Sequence, residues 1–142
     1  MSGEYVELLK RRSRSMLRLA KQLLFSGEYD LAVLNAEYAA QLLVKALLYR
    51  TTGEEVRGHS IRALIGLLVS VLEEKGFRRE AGELIEYVRR NRGIIAELEE
   101  GHVRSVYGVF SYSREQAEKL VEAAESIVGV LEKVEREVFG DA

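Results

Sequence analysis

Between Glu28 and Arg50 the chain reads EYDLAVLNAEYAAQLLVKALLYR, with no Gly and no Pro. Ala, Leu, Gln and Lys dominate the second half of this stretch, and they lose little side-chain freedom in a helix. The stretch therefore predicts one long α-helix. Its apolar residues cover a wider arc than a surface helix needs, so we expect a central helix with neighbours on several sides.

The polar residues of this helix are few. Glu37, Gln41 and Lys45 recur every fourth residue, so they form one narrow stripe along the helix. A polar stripe on a largely buried helix is either its solvent edge or the floor of a site. Solvated charged stripes are the more common arrangement, and from sequence we favour the solvent edge.

Apolar periodicity elsewhere predicts an all-α fold, an antiparallel bundle of about five helices. Ser26 and Ser60 are placed to cap the second and third helices, and Ser113 with Gln116 has the form of a capping box for the last helix. The other four helices are expected at 3–25, 61–75, 78–99 and 113–139, with Gly93 bending or weakening the fourth. We expect residues 101–112 to be the least regular stretch.

Length and composition exclude several classes of protein. The 142 residues suit a single domain, expected over 1–142, and the absence of Cys excludes disulfides and Cys-ligated zinc. With His59 and His102 as the only imidazoles, neither a metal site nor a cofactor is expected. Because no signal peptide or membrane-length apolar run is visible, we expect a cytoplasmic protein without membrane contact.

The first helix carries a stripe of positive charge. Five basic residues collect within an arc of about 100° opposite its apolar half, with no acidic residue among them: Lys10, Arg11, Arg14, Arg18 and Lys21. This basic stripe is either a solvated face or a surface that meets an anion, such as a phosphate backbone, a nucleotide or an acidic partner.

Two stretches carry a resemblance to a known family. The first comprises GEYDLA at 27–32, residues 36–48, and Gly58-His59 before the next apolar helix; the second comprises HVRSVYG at 102–108 and YSREQA at 112–117. In their order and in their positions between the helices, these stretches resemble the HEPN domain family, the nucleotide-binding domain of higher eukaryotes and prokaryotes. Two residues separate Arg104 from Tyr107, where adjacency is the commoner arrangement in that family.

The resemblance implies an all-helical domain, commonly a symmetric homodimer and often encoded with a small nucleotidyltransferase partner. Many members are RNases or toxins that use an Arg four to six residues before a His. This chain lacks that pattern, since no Arg stands at that spacing before either His59 or His102. The spacing therefore gives no support to cleavage by the family's usual mechanism, and whether the chain is an enzyme stays open.

Of the residues in these stretches, we favour Arg104 as a functional residue. A guanidinium near Tyr107 can stack on a base and donate two hydrogen bonds to a phosphate. The structural alternative is that Arg104 forms an ion pair with the acidic run at 97–100. His59 and Lys45 are further candidates for nucleotide contact. The plain alternatives are that His59 closes a loop and that Lys45 extends to solvent.

We interpret the chain as a nucleotide- or RNA-binding module that works with a minimal nucleotidyltransferase in a toxin–antitoxin-like pair. One alternative is a metal-independent endoribonuclease that uses Arg104 with His102 or His59. Another is a protein-docking module that binds no nucleotide. No P-loop, Rossmann glycine pattern or nucleophile elbow is present, so NTP hydrolysis and hydrolase-type catalysis have no support.

Overall fold

The computed structural model describes residues 2–140, and these form an all-α bundle without strands. The described residues contain six helices: α1 (Ser2–Phe25), α2 (Tyr29–Thr52), α3 (Ile61–Glu74), α4 (Arg78–Arg90), α5 (Arg92–Tyr107) and α6 (Arg114–Phe139). The helical-bundle prediction is confirmed, with one helix more than expected. One contiguous apolar core takes side chains from all six helices.

Helix α2 lies at the centre of the bundle, as its wide apolar arc predicts. It packs against α1, α3, α5 and α6, and small buried side chains such as Ala36, Ala39 and Ala40 let its neighbours approach closely. By length and composition alone α2 is long and apolar enough to cross a membrane. This differs from the expectation that no apolar run has the length of a membrane span. Because 67% of the most apolar window of α2 is buried inside the bundle, α2 has the position of a core helix.

Two of the three predicted serine caps are confirmed. The Ser60 hydroxyl accepts a hydrogen bond from the Ala63 amide, and Ser113 and Gln116 form the predicted capping box. The prediction for Ser26 is wrong. Its hydroxyl donates to the Gln22 carbonyl at the end of α1, and α2 begins after Glu28 without any side-chain cap.

The single helix predicted over residues 78–99 is in fact two, α4 and α5, separated at Asn91 rather than bent at Gly93. Asn91 has φ −118° and ψ 20°, outside the helical region, and its side-chain amide donates to the Tyr87 carbonyl at 2.8 Å. Asn competes in this way with the helical backbone pattern, which explains the break. Gly93 lies inside the first turn of α5.

The expectation of an irregular stretch over residues 101–112 is also wrong for its first half. Helix α5 continues through Tyr107, and only the segment from Gly108 to Ser113 connects it to α6. The position of α5 is fixed by a close contact at Gly101, in its C-terminal half. A Cβ added at Gly101 would lie 2.5 Å from Val33 Cγ1 of α2, so only glycine allows α5 to approach α2 this closely.

Candidate functional site

Most of the polar stripe of α2 is buried inside the bundle. Glu37 and Gln41 are 0% and 1% exposed, so the solvent-edge interpretation is wrong for both. The Gln41 side-chain amide donates to Glu37 Oε2 at 2.6 Å. Lys45, one turn further along, is only partly buried. The stripe thus runs from a buried carboxylate at one end to an accessible ammonium group at the other.

His102 of α5 contacts the buried end of this stripe. Its Nδ1 lies 2.7 Å from Glu37 Oε1, and its ring packs edge-on against Tyr38 with centroids 4.8 Å apart. Burial raises the pKa of the Glu37 carboxyl above its usual value, while the hydrogen bonds with Gln41 and His102 act in the opposite direction. The neighbouring Gly101 brings α5 close enough to α2 for this contact to form.

His59 lies beside His102, although the two are far apart in sequence. The His59 Nδ1 is 3.4 Å from Gln41 Oε1, and the two imidazole rings are nearly parallel, 11° apart, with centroids separated by 6.0 Å. His59 ends the connection between α2 and α3, just after Gly58, whose φ of +119° suits glycine. Both imidazoles of the chain therefore stand over consecutive turns of α2.

A cleft opens beside His59, between α1, α2 and the connection that follows α2. We call it the α1–α2 cleft; its volume is about 480 Å³. Apolar and aromatic side chains form much of its wall, including the edge-on pair Tyr5 and Tyr49, whose ring centroids are 4.8 Å apart. The lining residues are Tyr5, Leu9, Arg12, Leu42, Lys45, Tyr49, Glu55, Val56, Arg57, Gly58 and His59.

The charge in this cleft is mainly positive. Arg12, Lys45 and Arg57 line it, and none of them forms an ion pair with any other residue that the structure describes. The single carboxylate of the lining, Glu55, accepts a hydrogen bond from the Tyr5 hydroxyl at 2.7 Å. Cations without partners above an aromatic wall suit a ligand that carries both a phosphate and a base.

Of the sequence-predicted contacts, Lys45 and His59 meet at this cleft, whereas Arg104 and Tyr107 lie elsewhere. The Arg104 guanidinium stacks over the Tyr112 ring, 4.6 Å from its centroid, in a separate cavity of about 320 Å³. Burial raises the pKa of the Tyr112 hydroxyl, an effect that the charge of Arg104 opposes. Within the described residues Arg104 forms no ion pair with the acidic run at 97–100, where Glu99 instead pairs with Arg62.

Arg104 and His102 do not converge. Residues two apart on a helix point about 200° from each other, and here His102 contacts α2 while Arg104 contacts Tyr112. The geometry brings together His102 and His59 instead.

The basic stripe of α1 is partly neutralised by α6. Lys10 lies 2.9 Å from Glu135, a carboxylate that also holds Arg50 at 2.6 Å, and Lys21 pairs with Glu125. Arg11, Arg14 and Arg18 remain exposed, and Arg18 donates a hydrogen bond to Ser15. The uncompensated part of the stripe is thus smaller than the sequence suggests.

The end of α5 exposes an apolar surface. Tyr107 is 82% exposed, and Val109 and Phe110 are more than three-quarters exposed in the segment that follows. We call this the α5-end surface; it comprises Val103, Val106, Tyr107, Val109 and Phe110. Large apolar side chains exposed close together in the sequence, as here, mark an interaction site in many soluble proteins.

The sequence gives no signal for two residues of this region, Arg12 and Arg57, and it favours a solvent edge for a third, Glu37. Arg12 lies outside the basic stripe of α1, and Arg57 lies in a polar connection without periodicity. Glu37 belongs to the polar stripe of α2 and has no other signal in the sequence. The four-residue repeat from Glu37 to Lys45 is that signal. No group of three or more residues suited to a metal ion occurs among residues 2–140.

Comparison with known proteins gives one finding that covers nearly the whole chain. The model of the HEPN domain family matches residues 6–134. A search of curated proteins finds no significant match.

Proposed function

Because this chain belongs to the HEPN domain family, we propose that it is a nucleotide- or RNA-binding module whose ligand occupies the α1–α2 cleft. The observation that carries the proposal is the convergence of Arg12, Lys45 and Arg57, all without ion-pair partners among residues 2–140, on one aromatic-walled cleft. The cations bind phosphate oxygens, and Tyr5 or Tyr49 provides an aromatic surface for a base.

The test is the salt dependence of RNA binding. A fluorescent single-stranded RNA is titrated with wild type, with Lys45→Ala and with Arg12→Ala/Arg57→Ala at several salt concentrations, and binding is followed by fluorescence anisotropy. The slope of log K against log salt is negative, and each phosphate contact removed should make it shallower by about 0.7. Arg89→Ala is the matched control, because Arg89 is exposed and α4 does not touch α1 or α2.

Arg104→Ala separates the two candidate surfaces. If the cleft variants bind like the control while Arg104→Ala loses affinity, the RNA lies against Arg104 and Tyr107 and the cleft assignment fails. If all variants bind like wild type, neither surface holds the RNA. Within the proposal, Arg11, Arg14 and Arg18 provide auxiliary phosphate contacts along α1.

We further infer that the protein is a homodimer through the α5-end surface. The support is the number of large apolar side chains exposed together there. Sedimentation equilibrium should give twice the monomer mass for wild type and the monomer mass for Val106→Asp. Ser70→Asp, a matched substitution at an exposed position of α3, should stay dimeric. A monomeric wild type would contradict this inference.

A cytoplasmic toxin–antitoxin-like role with a minimal nucleotidyltransferase is the wider proposal, and its support is family membership alone. If a neighbouring gene encodes such a protein, the two should co-elute when expressed together. The α5-end surface then also offers a docking face, and Val106→Asp tests whether the partner uses it.

A further inference from the structure

The α1–α2 cleft contains one carboxylate beside its cations. Three basic side chains line the cleft, and Glu55 is the single acidic side chain of its lining among the residues that the structure describes. The Tyr5 hydroxyl donates to Glu55 Oε1 at 2.7 Å. The other oxygen, Oε2, accepts no hydrogen bond from residues 2–140, and the side chain is exposed. Part of this carboxylate is therefore open to a ligand.

Glu55 is held in place although it lies in the connection between α2 and α3. The Glu54 amide donates to Thr52 Oγ1 at 3.1 Å, which fixes the backbone just before Glu55. Val56, just after it, packs against the apolar core. The hydrogen bond to Glu55 raises the pKa of the Tyr5 hydroxyl, so Tyr5 keeps its proton and remains a donor to the carboxylate. A carboxylate held in this way loses little freedom when it binds a ligand.

The hydrogen-bonding capacity of a carboxylate suits one RNA base better than the others. An ionised carboxylate only accepts hydrogen bonds. On its Watson–Crick edge guanine presents two adjacent donors, N1–H and the 2-amino group. Adenine and cytosine present one amino donor beside a ring nitrogen that accepts, and uracil presents one N–H between two carbonyl oxygens. These acceptors repel a carboxylate, so Glu55 selects against every base except guanine.

The size and walls of the cleft suit a nucleotide. Its volume of about 480 Å³ lies within the range of small-molecule sites. Glu55 lies at the hydroxyl end of the Tyr5 ring, and Tyr49 packs edge-on against that ring. A base that stacks on either ring has the carboxylate within reach of its edge. The basic side chains of the same lining then remain free to bind the phosphate.

We propose that the α1–α2 cleft selects guanine, with the Glu55 carboxylate accepting from N1–H and the 2-amino group, an inference that rests on the proposed binding of a nucleotide or RNA in this cleft. Arg12, Lys45 and Arg57 bind phosphate whatever the base. Glu55 is the residue that determines specificity, and Tyr5 is a positioning residue that acts through it. The chemistry is the same for a free guanine nucleotide and for a guanosine within an RNA strand.

The experiment measures which base the cleft prefers. A fluorescent hexauridine strand and versions of it with one central guanosine, inosine or adenosine are titrated with the full chain, and binding is followed by fluorescence anisotropy. We expect the guanosine strand to bind about tenfold more tightly than hexauridine. Inosine keeps N1–H but lacks the 2-amino group, so its strand should bind with an affinity between those of the guanosine and adenosine strands.

Three variants assign the preference to the carboxylate. Glu55→Gln replaces one acceptor oxygen by a donor and removes a negative charge near the phosphate, so it should lose the guanosine preference while its affinity for hexauridine stays equal or rises. Glu54→Gln is the matched control, because it removes the same charge from an exposed side chain outside the cleft lining, and it should keep the preference. Tyr5→Phe keeps the aromatic ring and should weaken the preference without abolishing binding of hexauridine.

Calorimetric titration with guanosine and adenosine 5′-monophosphates distinguishes the two sources of guanine. A free nucleotide site binds the guanosine form about as tightly as it binds the guanosine strand. A site for RNA binds the guanosine strand much more tightly than either monophosphate.

Four outcomes would overturn the proposal. Equal binding of all four strands removes the guanine assignment and leaves RNA binding intact, whereas a wild type that binds neither the strands nor the monophosphates removes both. A guanosine preference that persists in Glu55→Gln assigns base selection to other groups. A preference that is lost equally in Glu54→Gln is an effect of net charge rather than of the carboxylate in the cleft.

Discussion

Glu37 Oε1 in α2 lies 2.7 Å from His102 Nδ1 in α5, although the two residues are separated by 65 positions in the sequence. A fully buried carboxylate is costly unless it is paired and hydrogen-bonded, and here both of its oxygens have partners. The pair joins the central helix to the helix that ends in the exposed apolar surface.

Replacing the buried carboxyl should change how stability depends on pH. A carboxyl whose pKa is raised on folding favours the native state most below its unfolded value, 4.5, and this advantage is lost as the pH rises through the folded pKa. Glu37→Gln removes that effect. The free energy of unfolding of Glu37→Gln relative to wild type should therefore increase as the pH rises from 4.5 towards neutrality. Urea unfolding of both proteins measures it, and a difference that is constant or falls with pH would contradict the burial effect.

Glycine at position 101 should be essential for the approach of α5 to α2. In Gly101→Ala the new methyl group meets Val33, a stiff and fully buried side chain, so we expect a loss of about 1–3 kcal/mol in stability. Gly129→Ala is the matched control: it lies in α6 with nothing within 4 Å of the added Cβ, and should gain about 0.5–1 kcal/mol. Chemical denaturation compares the two. Equal effects at both positions would show that the backbones of α2 and α5 can move apart freely.

Ser113, which caps α6, and Ser26, which caps no helix, should differ in their effect on stability. Ser113→Ala breaks the capping box of α6 and should cost about 1 kcal/mol. Ser26→Ala removes only an exposed bond to a carbonyl of the preceding helix, so its effect should stay within about 0.5 kcal/mol. Thermal unfolding of the two variants decides the matter. A larger loss for Ser26→Ala would mean that Ser26 supports the start of α2 after all.

The ion pairs that α6 forms with α1 and α2 should contribute unequally to the free energy of unfolding. Glu135 is 7% exposed and holds both Lys10 and Arg50, so Glu135→Ala leaves two cations without their carboxylate and should cost about 3 kcal/mol. The Lys21 and Glu125 side chains are about half exposed, and Glu125→Ala should cost less than about 1 kcal/mol. Denaturant titrations at low and high salt test both. Salt should reduce the effect at Glu125 more than that at Glu135.

Local chemistry explains which parts of this fold could be predicted from sequence. Ser60 and Ser113 cap helices through side-chain bonds to amides three residues away, and such short-range rules operate before tertiary structure forms. The break at Asn91 was missed because two signals competed. Gly93 has the lower helix propensity, but the Asn91 side chain bonds to the Tyr87 carbonyl and ends the helix first.

The candidate site was only half predictable. Lys45 and His59 were identified from family resemblance, and both line the cleft. The contact between Glu37 and His102 depends on the direction of α5, which the missed break at Asn91 sets. Arg12 and Arg57 lacked a sequence signal because one is on a helix face with no repeat and the other is in an irregular connection. Long-range convergence of this kind requires the tertiary arrangement.

The meeting of both histidines over α2 also makes the site spectroscopically isolated. With no other imidazole in the chain, the histidine region of a nuclear magnetic resonance spectrum reports on this one place. Nothing elsewhere contributes to the signal. The absence of native cysteine further allows a single label to be placed at a chosen cleft position without competition. Changes at this one place, including any movement of α5, can therefore be followed residue by residue in the intact bundle.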